Sequence, residues 1–365
     1  MKKYLLTLPA VLAITLAVFG AAPAMEANAA ASTIKIRAGG GEPGYAVNMF
    51  LTDSVTVLTG DTVHWDFAWK EPHTVTFGTP AGDPTVNSGV GLSTDYNGTG
   101  YISSGFLGDE WPNAPGAPKA GTTFDVKFTK AGSYAFLCAI HPLMKGTVTV
   151  VDTGTATKQA DIDTKANADY AAALAGLKSV ASGIAAKAVA VSAKADGTKQ
   201  YTVNIAGETD KGDVQQYSPP SVNVKQGDSV IFKSEVNTPH TVTFGPPPPG
   251  DPFAAKPTGP ADGKFPGGAA SSAILGKSYA GQSWELTFTA TGSFQYLCIL
   301  HFNQGMVGTV VVGAADAPAP TAPAPPKTGS GLDRGDAPLG SWYFAGAAMA
   351  LVALAGAGVA YSVKR

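Results

Sequence analysis

Apolar and polar side chains alternate along short stretches of this chain, and polar turns separate the stretches. Residues 33–37 and 54–58 show this alternation, which predicts β-strands with one buried face. Similar short runs continue through the first half of the chain without a helical period, and the same succession returns in the second half. Many short strands joined by polar turns are typical of β-sandwiches. We therefore predict an all-β fold with two sandwich domains, at residues 30–151 and 200–313.

The second predicted domain repeats the first at a constant spacing. His73 and His240 are 167 positions apart, each follows a proline, and each begins the run His-Thr-Val-Thr-Phe-Gly. The two copies differ in length within a long loop rich in glycine and proline, at residues 78–121 and 245–280. A length difference there costs little, because the free energy of closing a loop changes slowly with its length. The chain is therefore predicted to be an internal duplication.

Residues 152–199 separate the two predicted domains and differ from them in composition. Alanine and lysine dominate, and no cluster of turn residues occurs before Gly197. We predict a partly helical, semi-rigid linker here. The alternative is that the segment packs as an ordered part of one domain.

The two ends of the chain carry export and membrane signals. Residues 1–29 have a basic start, an apolar run and A-x-A sites, which predicts a signal peptide, with an uncleaved anchor helix as the alternative. Residues 314–340 form a Pro-rich spacer, and residues 341–363 include an uncharged run long enough for a transmembrane helix, followed by a terminal Lys-Arg pair. We expect an exported protein anchored in the cell membrane, with its domains on the extracytoplasmic side. Pro326-Lys-Thr-Gly329 also resembles a Gram-positive cell-wall sorting signal, although Pro325 stands where that signal has Leu, so attachment to the cell wall is a minor alternative.

Composition and cysteine count narrow the possible chemistry. Charged residues make up 14% of the chain and the net charge is −2, which argues against nucleic acid as a partner. The chain has 2 cysteines, Cys138 and Cys298, and in an exported protein a disulfide between them is the ordinary expectation. Each cysteine, however, has its own histidine and methionine close by in the sequence. This arrangement favours two separate metal sites.

Each predicted domain carries a loop that places a thiolate, an imidazole and a thioether between two apolar runs. The predicted metal ligands are one upstream histidine and three loop residues in each copy: His73, Cys138, His141 and Met144, then His240, Cys298, His301 and Met306. Two histidines, one cysteine and a weakly bound methionine form the ligand set of a blue-copper electron-transfer site. The sequence thus predicts two copper sites, each exchanging electrons through the exposed edge of its loop histidine.

Both copies resemble cupredoxins of the plastocyanin, pseudoazurin and amicyanin group. The resemblance is carried by the Gly-Asp-Thr/Ser-Val turn, the Pro-His before a strand and the Cys-x2-His…Met loop. The first loop has the amicyanin spacing and the second the plastocyanin or pseudoazurin spacing. The resemblance implies two tandem Greek-key sandwiches with one type 1 copper in each. Thr74 and Thr241 stand where that group usually has Asn to brace the Cys-bearing loop; a hydroxyl can still donate a hydrogen bond, so we expect a shifted potential and a retained metal.

These observations favour an electron carrier and not an enzyme. Small apolar patches at Pro142, Leu143 and Phe302 suit transient docking of redox protein partners, and no small-molecule substrate is evident. A multicopper enzyme would need further histidines, and only His64 remains, which we expect to be an exposed strand residue. The alternative function is copper binding, storage or handling at the cell surface without a redox relay.

Overall fold

The computed structural model describes residues 31–67, 69–78, 94–105, 107–108, 122–141, 143–187, 189–249, 255–279 and 281–313. The predicted signal peptide (1–29), Pro-rich spacer (314–340) and transmembrane helix (341–363) lie outside these residues. Among the described residues, no helix is long and apolar enough to span a bilayer. The described residues from Ser32 to Gly313 belong to one compact unit.

The described residues are mostly β-structure with one helix. In the first half the strands are β1 (Thr33–Glu42), β2 (Tyr45–Leu51), β3 (Ser54–Leu58), β4 (Thr62–Asp66), β5 (Thr76–Phe77), β6 (Thr94–Tyr96), β7 (Ile102–Ser103), β8 (Thr123–Phe128), β9 (Gly132–Leu137) and β10 (Lys145–Val151). The helix is α1 (Gln159–Ala185). The later strands are β11 (Val191–Ala193), β12 (Lys199–Thr209), β13 (Gly212–Ser218), β14 (Ser221–Lys225), β15 (Ser229–Ser234), β16 (Thr243–Phe244), β17 (Lys264–Phe265), β18 (Ala270–Ser271), β19 (Ser283–Phe288), β20 (Gly292–Leu297) and β21 (Val307–Gly313).

Each domain packs two sheets around an aromatic core. In the first domain a sheet containing β1, β2, β4, β8 and β6 faces a sheet ordered β3-β10-β9-β5-β7. Trp65, Phe77 and Phe136 pack between the two sheets with ring centroids 5.2–5.8 Å apart. Phe232 and Phe244, each 167 positions later, lie 6.2 Å apart in the second core. Burying each such ring contributes about 1.5–3 kcal/mol, so the two cores account for the repeated pattern of the sequence.

The two domains share one continuous sheet. Strands β2 and β13 pair antiparallel and join the larger sheets of both domains into an 11-stranded sheet. Ala46 pairs with Asp213, which is its own equivalent 167 positions later, so the seam is built from the same strand of each copy, as at a two-fold dimer interface. A Cβ on Gly212 would overlap the carbonyl oxygen of Ala46, and the bare glycine backbone allows the two strands to approach.

Helix α1 covers this seam. Its buried residues are Ile162, Ala166, Ala173 and Leu177. Leu177 packs with Val47 of the first domain and Val214 of the second, and the Tyr170 hydroxyl donates to the Gly41 carbonyl at 3.0 Å. The segment predicted as a linker is therefore helical in its middle, but its helix lies on both domains. The observed packing therefore differs from both expectations, a semi-rigid linker and a segment packed on one domain. The small alanine side chains let the helix lie closely on the sheet that the two domains share.

Candidate metal centres

The first candidate centre forms where two paired strands meet a loop. His73 lies three residues before the start of β5, Cys138 immediately follows β9, and β5 and β9 pair with each other. The backbone of His73 is fixed by reciprocal hydrogen bonds with Leu107 of 2.8 and 2.9 Å. The Nδ1 atoms of His73 and His141 lie 3.1 Å apart, and Cys138 Sγ lies 4.0 Å and 3.5 Å from them. Three of the four predicted ligands thus converge on one point.

The second candidate centre repeats this geometry. His240 precedes β16, Cys298 follows β20, and these strands also pair. The two Nδ1 atoms of His240 and His301 lie 3.1 Å apart, and Cys298 Sγ lies 4.0 Å and 3.5 Å from them. Within the described part of the chain, these two His-Cys-His groups are the clusters able to hold a metal ion. Both cysteines are unpaired, so the disulfide alternative is excluded.

The donor spacing fits a single metal ion in each group. Metal–nitrogen and metal–sulfur bonds of roughly 2.0–2.3 Å in a near-trigonal arrangement place the donors about 3.5 Å apart. The measured separations of 3.1–4.0 Å bracket this value in both domains. Soft thiolate together with imidazole suits copper.

Met144 and Met306 are buried in the same loops. In each loop the cysteine N–H donates to the methionine carbonyl, at 2.9 Å for Cys138 and 3.1 Å for Cys298. The longer second loop is therefore closed by the same bond as the shorter first loop. The role of either sulfur as an axial ligand stays a prediction.

The protein environment stabilises each cysteine as a thiolate. Burial alone would raise the pKa of Cys138, but His141 and His73 lower it well below its ordinary value. Burial and the two histidines act in the same way on the pKa of Cys298. The backbone N–H of Thr74 points at Cys138 Sγ, 3.3 Å away. A thiolate is the form that binds metal, so both sites are preorganised for it.

Thr74 and Thr241 brace the loops that carry the cysteines. Thr74 Oγ1 accepts a hydrogen bond of 2.7 Å from the N–H of Ala139, and Thr241 Oγ1 accepts one of 2.9 Å from Ile299. The sequence predicted that these hydroxyls would act as donors, and in the structure they act on the loop as acceptors. The loop residue after each cysteine is held in place by this bond.

The two centres face each other across the domain seam. Glu71 Oε1 lies 3.5 Å from Nε2 of His141, and Glu71 Oε2 lies 3.8 Å from Nε2 of His301. The side chain of His141 is 17% exposed and that of His301 only 5%. The prediction that each loop histidine presents an exposed edge is therefore wrong for His301, which is buried at the junction of the two domains, whereas His141 keeps a partly exposed edge.

Charge interactions at this junction are strong. Burial alone would raise the pKa of Glu71, but His141, His301 and His73 lower it to about 2. Burial alone would lower the pKa of His141, but Cys138 and Glu71 raise it to about 10, and the same kinds of neighbour raise that of His301 to about 9. These directions describe the metal-free protein, in which thiolate, imidazolium and carboxylate compensate one another.

A cavity of about 780 Å³ opens beside both loop histidines. Residues of both domains line it, including Met144, Leu300 and three carboxylates, and no Lys or Arg is among its described lining residues. Leu143, one of the predicted docking residues, is 67% exposed where it lines the cavity. Phe302 is partly buried, and Pro142 lies outside the described residues.

The prediction that His64 is not a metal ligand is confirmed, although its side chain is only 21% exposed, and Glu71 was missed. His64 Nδ1 lies 2.6 Å from Asp125 Oδ1 on the neighbouring strand β8, and it joins neither metal cluster. Glu71 precedes the Pro-His pair of the first copy, and Thr238 holds the equivalent position in the second. An acidic residue that occurs in only one of the two copies is a weak sequence signal for a functional residue. The groups that Glu71 contacts also lie far from it along the chain.

Each domain is thus a β-sandwich that holds a His-Cys-His group at one end, which defines the type 1 copper class of protein. The model of the plastocyanin/azurin family of copper-binding proteins matches residues 44–151 and 202–313, more than half of the chain. The chain therefore belongs to this family, and its two sites fit two type 1 copper ions.

Individual proteins are similar to parts of this chain. The chain is 30% identical to amicyanin-alpha of Methylorubrum extorquens over 38% of this chain and 94% of that protein. It is also 30% identical to the chloroplast plastocyanin of Oryza sativa subsp. indica over 36% of this chain and 76% of that protein. A solved structure of a reduced amicyanin variant matches at 26% identity over 34% of this chain and 92% of that chain, with a TM-score of 0.22.

Proposed function

We propose that this protein is a membrane-anchored, extracytoplasmic electron carrier with one type 1 copper in each domain, and that it is not an enzyme. The observation that carries the proposal is the pair of His-Cys-His groups with matching donor distances. Copper bound there would gain and lose single electrons, cycling between Cu(I) and Cu(II).

The protein contributes a ligand set that does not need to rearrange. The strand backbone fixes His73 through Leu107, and a Thr hydroxyl fixes the loop after each cysteine. Cys138 and Cys298, which begin the two ligand loops, are both fully buried. Ligands held this way keep one geometry in both oxidation states, which supports rapid electron exchange.

Redox proteins are the proposed partners, docking transiently at the cavity. This is where the loop histidine His141 is partly exposed and where Leu143 offers an apolar contact. The lining carboxylates favour a partner with a basic rim. Amicyanin and plastocyanin relatives support a redox role for the family fold.

The location of the protein is proposed from its ends. A signal peptide at residues 1–29 and a transmembrane helix at 341–363 would place both domains outside the membrane. Cell fractionation tests this: the protein should follow the membrane fraction and be degraded by protease added to intact cells or spheroplasts. Release of the protein from purified cell wall would favour attachment at the Pro326-Lys-Thr-Gly329 motif instead.

A copper count with an absorption spectrum tests the central proposal. The oxidised protein should hold two coppers, be intensely blue from the thiolate-to-copper transition, and lose and regain that colour on reduction and reoxidation. Cys138→Ser should remove one copper and leave the other. A protein that binds no copper, or loses both with this single substitution, would contradict two independent type 1 sites.

Copper storage or handling is the second candidate, and the burial of His301 favours it. A loop histidine that is 5% exposed offers a protein partner little direct contact. The two functions differ in colour and in kinetics. Tight copper binding without the blue band, or copper that a protein-sized reductant cannot reduce, would favour storage.

A further inference from the structure

Glu71 is the acidic residue placed between the two metal centres. Its side chain is 6% exposed, although charged residues are almost never this buried unless they are paired. Its Oε1 faces the distal nitrogen of His141, and its Oε2 faces that of His301. Because the two oxygens of one carboxylate are about 2 Å apart, these distal nitrogens lie within roughly 10 Å of each other.

Both domains hold this carboxylate in position. Glu71 belongs to the first domain and lies two residues before the ligand His73. Its Oε2 accepts hydrogen bonds from Gln215 Nε2 at 2.8 Å and Gln304 Nε2 at 3.2 Å, both in the second domain. Gln304 lies within the second loop, which is the longer of the two, and its backbone carbonyl accepts from the N–H of Gly44 at 3.0 Å across the seam. The carboxylate therefore has a fixed orientation and not a solvent-averaged one.

A carboxylate at this position acts on the ligands through their rings. A histidine that binds metal through Nδ1 carries its hydrogen on Nε2, and an acceptor beside Nε2 fixes this tautomer and the ring orientation. It also makes the ring a stronger donor to the metal, and outer partners of this kind are worth about 10–100-fold in metal affinity. Both loop histidines direct Nδ1 to the metal cluster and Nε2 to Glu71.

Glu71 is the carboxylate that lies against both loop histidines. The equivalent of Glu71 in the second copy is Thr238, which supplies no second carboxylate. Oε1 faces His141 at the shorter distance, whereas Oε2 is 3.8 Å from His301 and also accepts from two amides. Its influence should therefore be larger at the first centre than at the second.

We propose that Glu71 is a positioning residue shared by both metal centres, which acts on the first through the distal nitrogen of His141 and on the second through that of His301. This inference rests on the two type 1 sites of the proposed function. A shared carboxylate stabilises the more positive oxidation state of each centre, so its loss raises both reduction potentials.

The test measures each centre by itself. Cys298→Ser leaves the first centre and Cys138→Ser leaves the second, and Glu71→Gln is added to each background. Gln keeps the size of the side chain and removes its charge. We expect a higher midpoint potential at both centres, a larger shift at the first, and a loss of copper affinity of about 10–100-fold, read by spectroelectrochemistry and competition with a copper chelator.

Glu208→Gln is the matched control. Glu208 lines the same cavity, but its carboxylate accepts from Asn237 N at 2.9 Å and Nδ2 at 2.8 Å and contacts neither loop histidine. It should leave both potentials unchanged, which separates a specific contact from the removal of any nearby charge. Thermal unfolding and circular dichroism establish that each variant is folded.

The outcomes are distinct. A shift confined to the first centre, no shift at either centre, or an equal shift from Glu208→Gln would each overturn the sharing. If Glu71→Gln does not fold, Gln215→Met provides the second variant, because it removes an amide donor from Oε2 and should lower the potential of the second centre. No change there would count against the proposal. A parent protein without blue copper would overturn the proposed function itself, and would be seen before any variant is made.

Discussion

Replacing Leu177 with Ala tests whether helix α1 binds the two domains together. Leu177 is fully buried and contacts Val47 of the first domain and Val214 of the second. The substitution removes the burial of roughly three carbons at about 0.8 kcal/mol each and leaves a cavity between helix α1 and the paired strands β2 and β13. We expect a loss of about 3–4 kcal/mol of unfolding free energy, within the range of buried Leu→Ala changes.

The assay is urea unfolding, monitored by circular dichroism. In the Cys138→Ser and Cys298→Ser backgrounds it is also monitored by loss of the blue absorption band of the remaining copper centre. Leu174→Ala is the control, since Leu174 lies on the same helix but is only partly buried against the same cluster, and it should cost clearly less. Because Leu177 contacts both domains, both blue bands should be lost at lower urea. A transition that moves for one domain alone would show that α1 stabilises only that domain, and the reasoning would fail.

Three further predictions follow from single residues. Gly212→Ala places a Cβ onto the carbonyl oxygen of Ala46, so it should open the seam and increase the radius of gyration in small-angle X-ray scattering; an unchanged radius would contradict the shared sheet. Gly176→Ala within α1 meets nothing within 4 Å, so it should raise stability by about 0.5–1 kcal/mol in thermal unfolding, and a loss would show hidden crowding. Burial alone would raise the pKa of Glu285, but its bond to Lys194 and its other polar neighbours lower it from 4.5 to about 2. A lowered pKa stabilises the fold above pH 4.5, and this contribution is lost as the pH falls toward 2. Glu285→Gln should therefore cost about 1 kcal/mol of unfolding free energy at pH 7, after allowance for solvent screening, and almost nothing near pH 2. An equal cost at both pH values would refute the assignment.

The sequence located strands whose two faces differ in exposure. Residues 54–58 were predicted as a strand and form β3 over the same span, because one face meets the core and the other meets water. Strands β2 and β13 were not recognised. The sequence of β13 is Gly-Asp-Val-Gln-Gln-Tyr-Ser, and its Asp213 and Gln215 are fully buried at a polar seam. Alternation of apolar and polar residues does not occur where both faces are covered and the partner surface is polar.

The metal ligands could be predicted from the sequence, whereas Glu71, which lies between the two centres, could not. Three of the four predicted ligands in each copy lie on one short loop, so their relation is visible in the sequence itself. Glu71 acts on His141 and His301, which are 70 and 230 positions away, and the contact with His301 forms only after the two domains pack together. The exposure of His301 was mispredicted for the same reason, since a single sandwich considered alone leaves that end open.

The seam between β2 and β13 pairs Ala46 with Asp213, its own equivalent. An edge that matches its own copy needs no connecting chain, so two separate single-domain molecules with this edge could form the same pairing as a homodimer. In such a dimer, however, every side chain would occur twice. Joining the halves in one polypeptide removes that constraint, and it allows one half to carry Glu71 while the other carries Thr238.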